Sequence, residues 1–166
     1  MAYGAIRHVP LARRYTLYAY AKRHPEVAMI VHRSWSFALP AEFGHRDVTP
    51  EVAALVAEVG VTTGLVTVQL VGSTGAVTTI EYESGALADL RRALDQIAPV
   101  TAPYEHNQRW GDGNGFSHVR SALLKTSVGI PVVSGALGLG TWQQIVVLNL
   151  DNRKRTREVV AVVVGE

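Results

Sequence analysis

An α+β fold with an antiparallel, sandwich-like core is expected from three features of this 166-residue chain. Its apolar runs are mostly short and rich in β-branched residues, as half-buried or fully buried strands are. Their order, β-α-β-β-α-loop-α-β-β-β, does not alternate strand with helix as a doubly wound parallel sheet would. The length suits one domain able to bury a core without disulfide or metal staples.

The first 28 residues stand apart as an N-terminal helical extension. Leu11, Tyr15 and Tyr18 recur at helical spacing, while Arg13, Arg14, Lys22 and Arg23 fall largely elsewhere around the turn, which predicts an amphipathic helix over 11–23. His24-Pro25 ends it, because the residue before proline is pushed out of the α region. Scattered charges of this kind favour a helix docked on its own protein over a nucleic-acid or membrane contact.

A single domain then runs over 29–166. Met29 to Phe37 reads as its first strand, with Trp35 and Phe37 on one face. Thr49-Pro50-Glu51 opens a helix with a capping residue, an early proline and an acid that suits the helix dipole. Val52, Leu55, Val56 and Val59 form its buried stripe, and Gly60 stops it. Gly64–Leu70 and Ala76–Glu81 are strands separated by Gly72-Ser73-Thr74-Gly75, which predicts a hairpin. Ser84 is placed to cap a second main helix carrying Leu87, Leu90, Leu94 and Ile97 on one face, closed by Pro99. A short site helix begins at Ser117. Pro131–Ser134, Trp142–Leu150 and Glu158–Val164 are further strands, the last two joined by the polar turn Asp151–Arg157.

Composition removes several functions. The absence of cysteine excludes a disulfide framework, a thiolate metal site and a cysteine nucleophile. Sixteen Lys and Arg against fourteen Asp and Glu leave a formal charge of +2, poor support for nucleic-acid binding. No apolar run approaches the roughly 20 residues of a membrane span, and basic residues interrupt any signal-peptide core. A soluble, cytoplasmic protein is expected, with neither nucleic acid nor membrane as partner.

Chemistry concentrates in Tyr104–Lys125. Gly111, Gly113 and Gly115 lead into Ser117-His118, so a helix N-terminus with free N–H groups could receive an anion there, or the glycines could simply form a turn and cap. His106 and His118 flank this loop and could ligate a metal or perform acid–base chemistry near neutrality. Two histidines need a third ligand to hold zinc well. Glu81 and Glu83, two apart on a strand end, are the acids available, or else form a solvated edge. Trp142-Gln143 could supply a pocket wall and an amide tip. Arg153 and Arg155, in the most basic cluster, have the fork geometry that suits phosphate; a solvated turn is the alternative.

Taken in order, Gly64-Leu65-Val66-Thr67-Val68, Glu81, Tyr104-Glu105-His106-Asn107, Gly113-Asn114-Gly115-Phe116-Ser117-His118, Ser121-Ala122-Leu123-Leu124, Gly140-Thr141-Trp142-Gln143 and Asp151-Asn152-Arg153-Lys154-Arg155 resemble the YjbQ-like family, now commonly called secondary thiamine-phosphate synthase. The resemblance spans roughly Val31 to Val164. It implies a YjbQ-like fold, a homotrimer, and a polar site near the subunit boundary in which His106, His118 and Glu81 are catalytic or bind a divalent metal, zinc or magnesium, with Asn114 and Gln143 close by. Two positions depart from the family pattern: Gly72 and Phe116 stand where many members carry histidine or another polar residue, so metal binding is expected to be weak or absent. The implied activity is a transferase reaction joining a pyrimidine diphosphate to a thiazole phosphate. A trimeric module that binds a small phosphorylated metabolite without catalysis, and a metal-dependent hydrolase of such a substrate, are the alternatives.

Overall fold

The computed structural model describes residues 28–166, so the helix expected over 11–23 lies outside the described residues. Two antiparallel sheets form the core, as expected of the α+β class. The larger has the order β1 (Met29–Leu39), β8 (Arg155–Gly165), β3 (Thr63–Val71), β5 (Ser127–Val133) and β6 (Ala136–Leu137). The smaller has β2 (Gly44–Asp47), β7 (Gln144–Asn149) and β4 (Gly75–Ile80). Four helices complete the described residues: α1 (Thr49–Val59), α2 (Ser84–Ile97), α3 (Glu105–Trp110) and α4 (Gly115–Leu124). None of them is long and apolar enough to cross a membrane.

Alternation along the strands sets the layers. Val66, Val68 and Leu70 of β3 and Val159, Ala161 and Val163 of β8 point to the same interior as Val77, Ile145 and Val147 of the small sheet, and α1 adds Val52, Leu55 and Val56. The opposite face of the small sheet presents Ala76, Val146 and Leu148 to Leu87 and Leu94 of α2. Strand β7 is therefore covered on both faces, which is why Ile145–Leu148 is an unbroken apolar run.

Local expectations needed correction at three places. Gly72–Gly75 does not close a hairpin: β3 pairs with β8 and β5, whereas β4 pairs with β7. The turn instead carries the chain from the large sheet to the small one, with Thr74 buried at the corner. Capping of α2 falls to Glu83, whose carboxylate accepts from the N–H groups of Gly85 and Ala86, and not to Ser84. Helix α4 starts at Gly115, so Ser117 lies inside its first turn rather than at its cap; Ser117 N donates to Asn114 O at 2.8 Å.

Polar side chains tie together three of the places where the chain changes sheets. Asn149 Nδ2 donates to the carbonyls of Pro40, between β1 and β2, at 2.6 Å and of Arg153, between β7 and β8, at 2.9 Å. Arg157 Nη2 donates to the carbonyl and hydroxyl of Thr74, between β3 and β4, each at 2.8 Å. Asn149 Oδ1 accepts from the Nε and Nη2 of the same arginine, at 3.1 and 2.5 Å.

Candidate functional site

The glycine-bearing loop between α3 and α4 acts by steric necessity. A Cβ on Gly115 would lie 2.5 Å from Tyr104 Cβ, so only glycine lets α4 start this close to the start of α3. Asn107 Oδ1 accepts from Gly115 N at 2.8 Å and fixes the approach. His106 and His118 are thereby brought together, with ring centroids 4.4 Å apart and planes inclined at 52°.

Two loop residues partner His106. Its Nε2 lies 3.4 Å from Asp112 Oδ2. The Asn114 amide satisfies its surroundings with nitrogen turned inward, 3.1 Å from His106 Nε2 and 3.1 and 3.2 Å from the Asp112 oxygens. Neutral His106 accepts from Asn114; protonated His106 has the Asp112 carboxylate within reach. Both protonation states of the imidazole have a partner, which is what a proton-transfer group requires.

Beside the pair, a cleft of about 470 Å³ is lined by Gly72, Ser73, His118, Ser121, Ala122, Lys125 and Thr126. Ser121 Oγ donates to Gly75 O at 2.6 Å, anchoring α4 to the start of β4. A larger cleft, of about 710 Å³, lies between Ala38–Ala41 and Lys154–Thr156; it offers cations but no acid–base pair.

Most of the remaining expected site residues lie elsewhere. Glu81 follows the far end of β4, about 20 Å from Gly75 at strand rise, and is exposed. Within one chain it does not join the histidines. Trp142 and Gln143 sit at that same far end: Gln143 Nε2 donates to Thr79 Oγ1 at 3.0 Å, and Trp142 is 71% exposed. Ser117 is wholly buried, with an Oγ that finds no partner among the described residues. Arg153 is exposed, and Arg155 is committed to Asp151 through Nε and Nη2, each at 2.9 Å. Phe116 is buried, with the guanidinium of Arg120 over its ring, 5.0 Å from the centroid. Among the described residues no group of three or more His, Asp or Glu is disposed to hold a metal ion, so the single-chain donor set does not fit zinc.

The model of the family described as UPF0047 protein YjbQ-like matches residues 34–166. The chain belongs to that family. A UPF0047 protein of Methanothermobacter thermautotrophicus is 37% identical over 116 residues, covering 70% of this chain and 80% of the relative. Another, from Synechocystis, is 33% identical over 147 residues, covering 87% and 94%. Among solved structures, a hypothetical protein of Aeropyrum pernix superposes with a TM-score of 0.71 at 32% identity, covering 81% of this chain and 99% of that one. A YjbQ-like protein of unknown function from Sulfolobus solfataricus shares the fold at TM-score 0.79 and 24% identity, over 84% and 99%.

Sequence reasoning missed three groups in this UPF0047 chain. Asp112 was visible as an acid between two glycines, a placement that leaves its carboxylate free to turn back on a neighbour. Asp151 and Arg157 read as members of a polar turn, yet their side chains are 1% and 7% exposed. Burial pushes the Arg157 guanidinium below its ordinary value, the Asp151 carboxylate opposes that shift, and Arg155 adds to it.

Proposed function

We propose that this protein is an enzyme of small phosphorylated metabolites in which the His106–His118 pair handles protons. The observation that carries this reading is the close imidazole pair in which His106 has a partner in either protonation state. The reaction suggested by the family resemblance is condensation of a pyrimidine diphosphate with a thiazole phosphate, in the cytoplasm. A carbon–nitrogen bond then forms as the carbon–oxygen bond to diphosphate breaks, and protonated His118 stabilises the departing anion. Magnesium enters with the diphosphate, as a substrate complex.

A homotrimer is part of this proposal. The acid, the indole and the amide expected at the site (Glu81, Trp142 and Gln143) lie at the opposite end of the small sheet from the histidines. A second copy can bring one subunit's Glu81 end against another's histidine end. An indole 71% exposed in a single chain supports such a contact. Sedimentation should give a particle of three chains; a monomer at micromolar concentration overturns this part.

The activity test is purified protein with both substrates and magnesium, followed by diphosphate release. Wild type should turn over, and His106→Ala and His118→Ala should each lower kcat by at least about a hundred-fold. Wild-type turnover no faster than that of the double variant refutes the condensation.

A further inference from the structure

Arg157 holds a guanidinium whose pairing is incomplete. Its side chain is 7% exposed. Nε and Nη2 are spent on Asn149 and Thr74, whereas Nη1 makes no hydrogen bond among the described residues. Nη1 is the part of this otherwise buried side chain that keeps access to solvent, so its direction is informative. Nη1 faces Gly72. It lies 3.3 Å from the point a Cβ would occupy there, and Gly72 is one of the residues lining the cleft beside His118. A side chain at position 72 would stand between the guanidinium and the cleft, and glycine leaves that path open.

The charges around this path favour an anion. No carboxylate lines the cleft, whose charged or polar groups are Lys125, His118, Ser73, Ser121 and Thr126. The acid beside Arg157, Asp151, is already committed: its Oδ2 accepts from Thr74 Oγ1 at 3.0 Å and from Arg155 Nε at 2.9 Å, and its Oδ1 accepts from Arg153 N at 3.2 Å. One carboxylate thus faces two guanidiniums, Arg155 and Arg157, leaving positive charge uncompensated. A cleft of about 470 Å³ also has room for the body of a small metabolite beyond the anion.

We propose that Gly72 is a window through which Arg157 Nη1 binds the phosphoryl group of a small metabolite seated in the cleft that Lys125 also lines. The site is distinct from the exposed Arg153 and the committed Arg155. It goes beyond the acid–base reading above, because binding stands whether or not the histidines catalyse.

Inorganic phosphate is the probe, titrated into the full-length protein against chloride at equal ionic strength. Calorimetry should show saturable binding at millimolar phosphate and none with chloride. The Arg157 Nε–H resonance should shift along the same isotherm. Gly72→Ala, which places a methyl group over Nη1, should weaken binding by about ten-fold or more. Binding undiminished in a folded Gly72→Ala protein overturns the proposal, as does a stationary Arg157 resonance in the wild type. Should Gly72→Ala fail to fold, since φ is +138° at that position, the wild-type resonance decides alone. No step of this test reads turnover, so failure of the condensation assay leaves it intact.

Discussion

Arg120 links the helix that carries His118 to the end of α2, and its removal has a calculable cost. Its side chain is 4% exposed. Nε and Nη2 donate to the Ala98 carbonyl at 2.9 and 2.7 Å, Nη2 also reaches Asp95 Oδ1 at 2.7 Å, and the guanidinium covers the Phe116 ring. Ala98 is the C-cap residue of α2 and is itself buried, so a cation there also meets the negative end of the helix dipole. Arg120→Met keeps most of the volume but loses both carbonyl bonds and leaves that oxygen unpaired. Charge-assisted bonds are each worth about 1.5–3 kcal/mol and an orphaned buried acceptor costs about 1–3 kcal/mol, with overlap between the two. A net loss of about 3 kcal/mol is expected, lowering Tm by about 6–12 °C for a domain of this size. Asp95→Asn should cost less than about 1 kcal/mol, because the Asp95 side chain is 48% exposed. Urea unfolding of the two variants beside wild type checks both numbers. An Arg120→Met loss under about 1 kcal/mol, or an Asp95→Asn loss equal to it, would refute the assignment of the energy to the buried carbonyl.

Leu148→Ala, on the twice-covered strand β7, should destabilise by about 3 kcal/mol in the same denaturant assay. Glu83→Ala should cost about 1 kcal/mol through loss of the α2 cap and Ser84→Ala only a few tenths, a contrast readable from melting curves. The Arg33 guanidinium, first by a paired hydrogen bond and then by charge, holds the Glu58 carboxyl below its ordinary value. The sign follows from linkage: this contribution is present above the carboxylate's unfolded value and is lost as pH falls through the lower folded value. Stability of wild type minus Glu58→Gln should therefore shrink to nothing in acid, and it should also shrink with salt at neutral pH. A difference that is constant with pH would contradict the pairing.

Fold class and the histidine pair were legible in the sequence for the same reason: both depend on local patterns. Alternation and β-branched runs mark strands wherever they go, and glycines between two histidine-bearing segments permit the chain to double back. Which sheet a strand joins is not local. Gly72–Gly75 has hairpin composition, yet β3 and β4 separate because Thr74 is held at the corner by Arg157, 83 positions away. Helix α3 has no apolar periodicity to reveal it, and its first turn is recognisable only once Asn107 is seen holding Gly115. Glu81 looked close to the histidines because sequence order carries no distance; β4 places its own length between them.

The polar seam at Thr74, Asn149, Asp151 and Arg157 also bears on the order of folding. Its longest-range bonds join positions 83 and 109 residues apart, so these close only after a long segment has been brought home. Such contacts are absent from an early nucleus. The seam then acts as a latch: weakening it should speed unfolding while leaving the refolding limb of a chevron nearly unmoved, so that the native state's lifetime, rather than its rate of formation, is set where the chain passes between sheets.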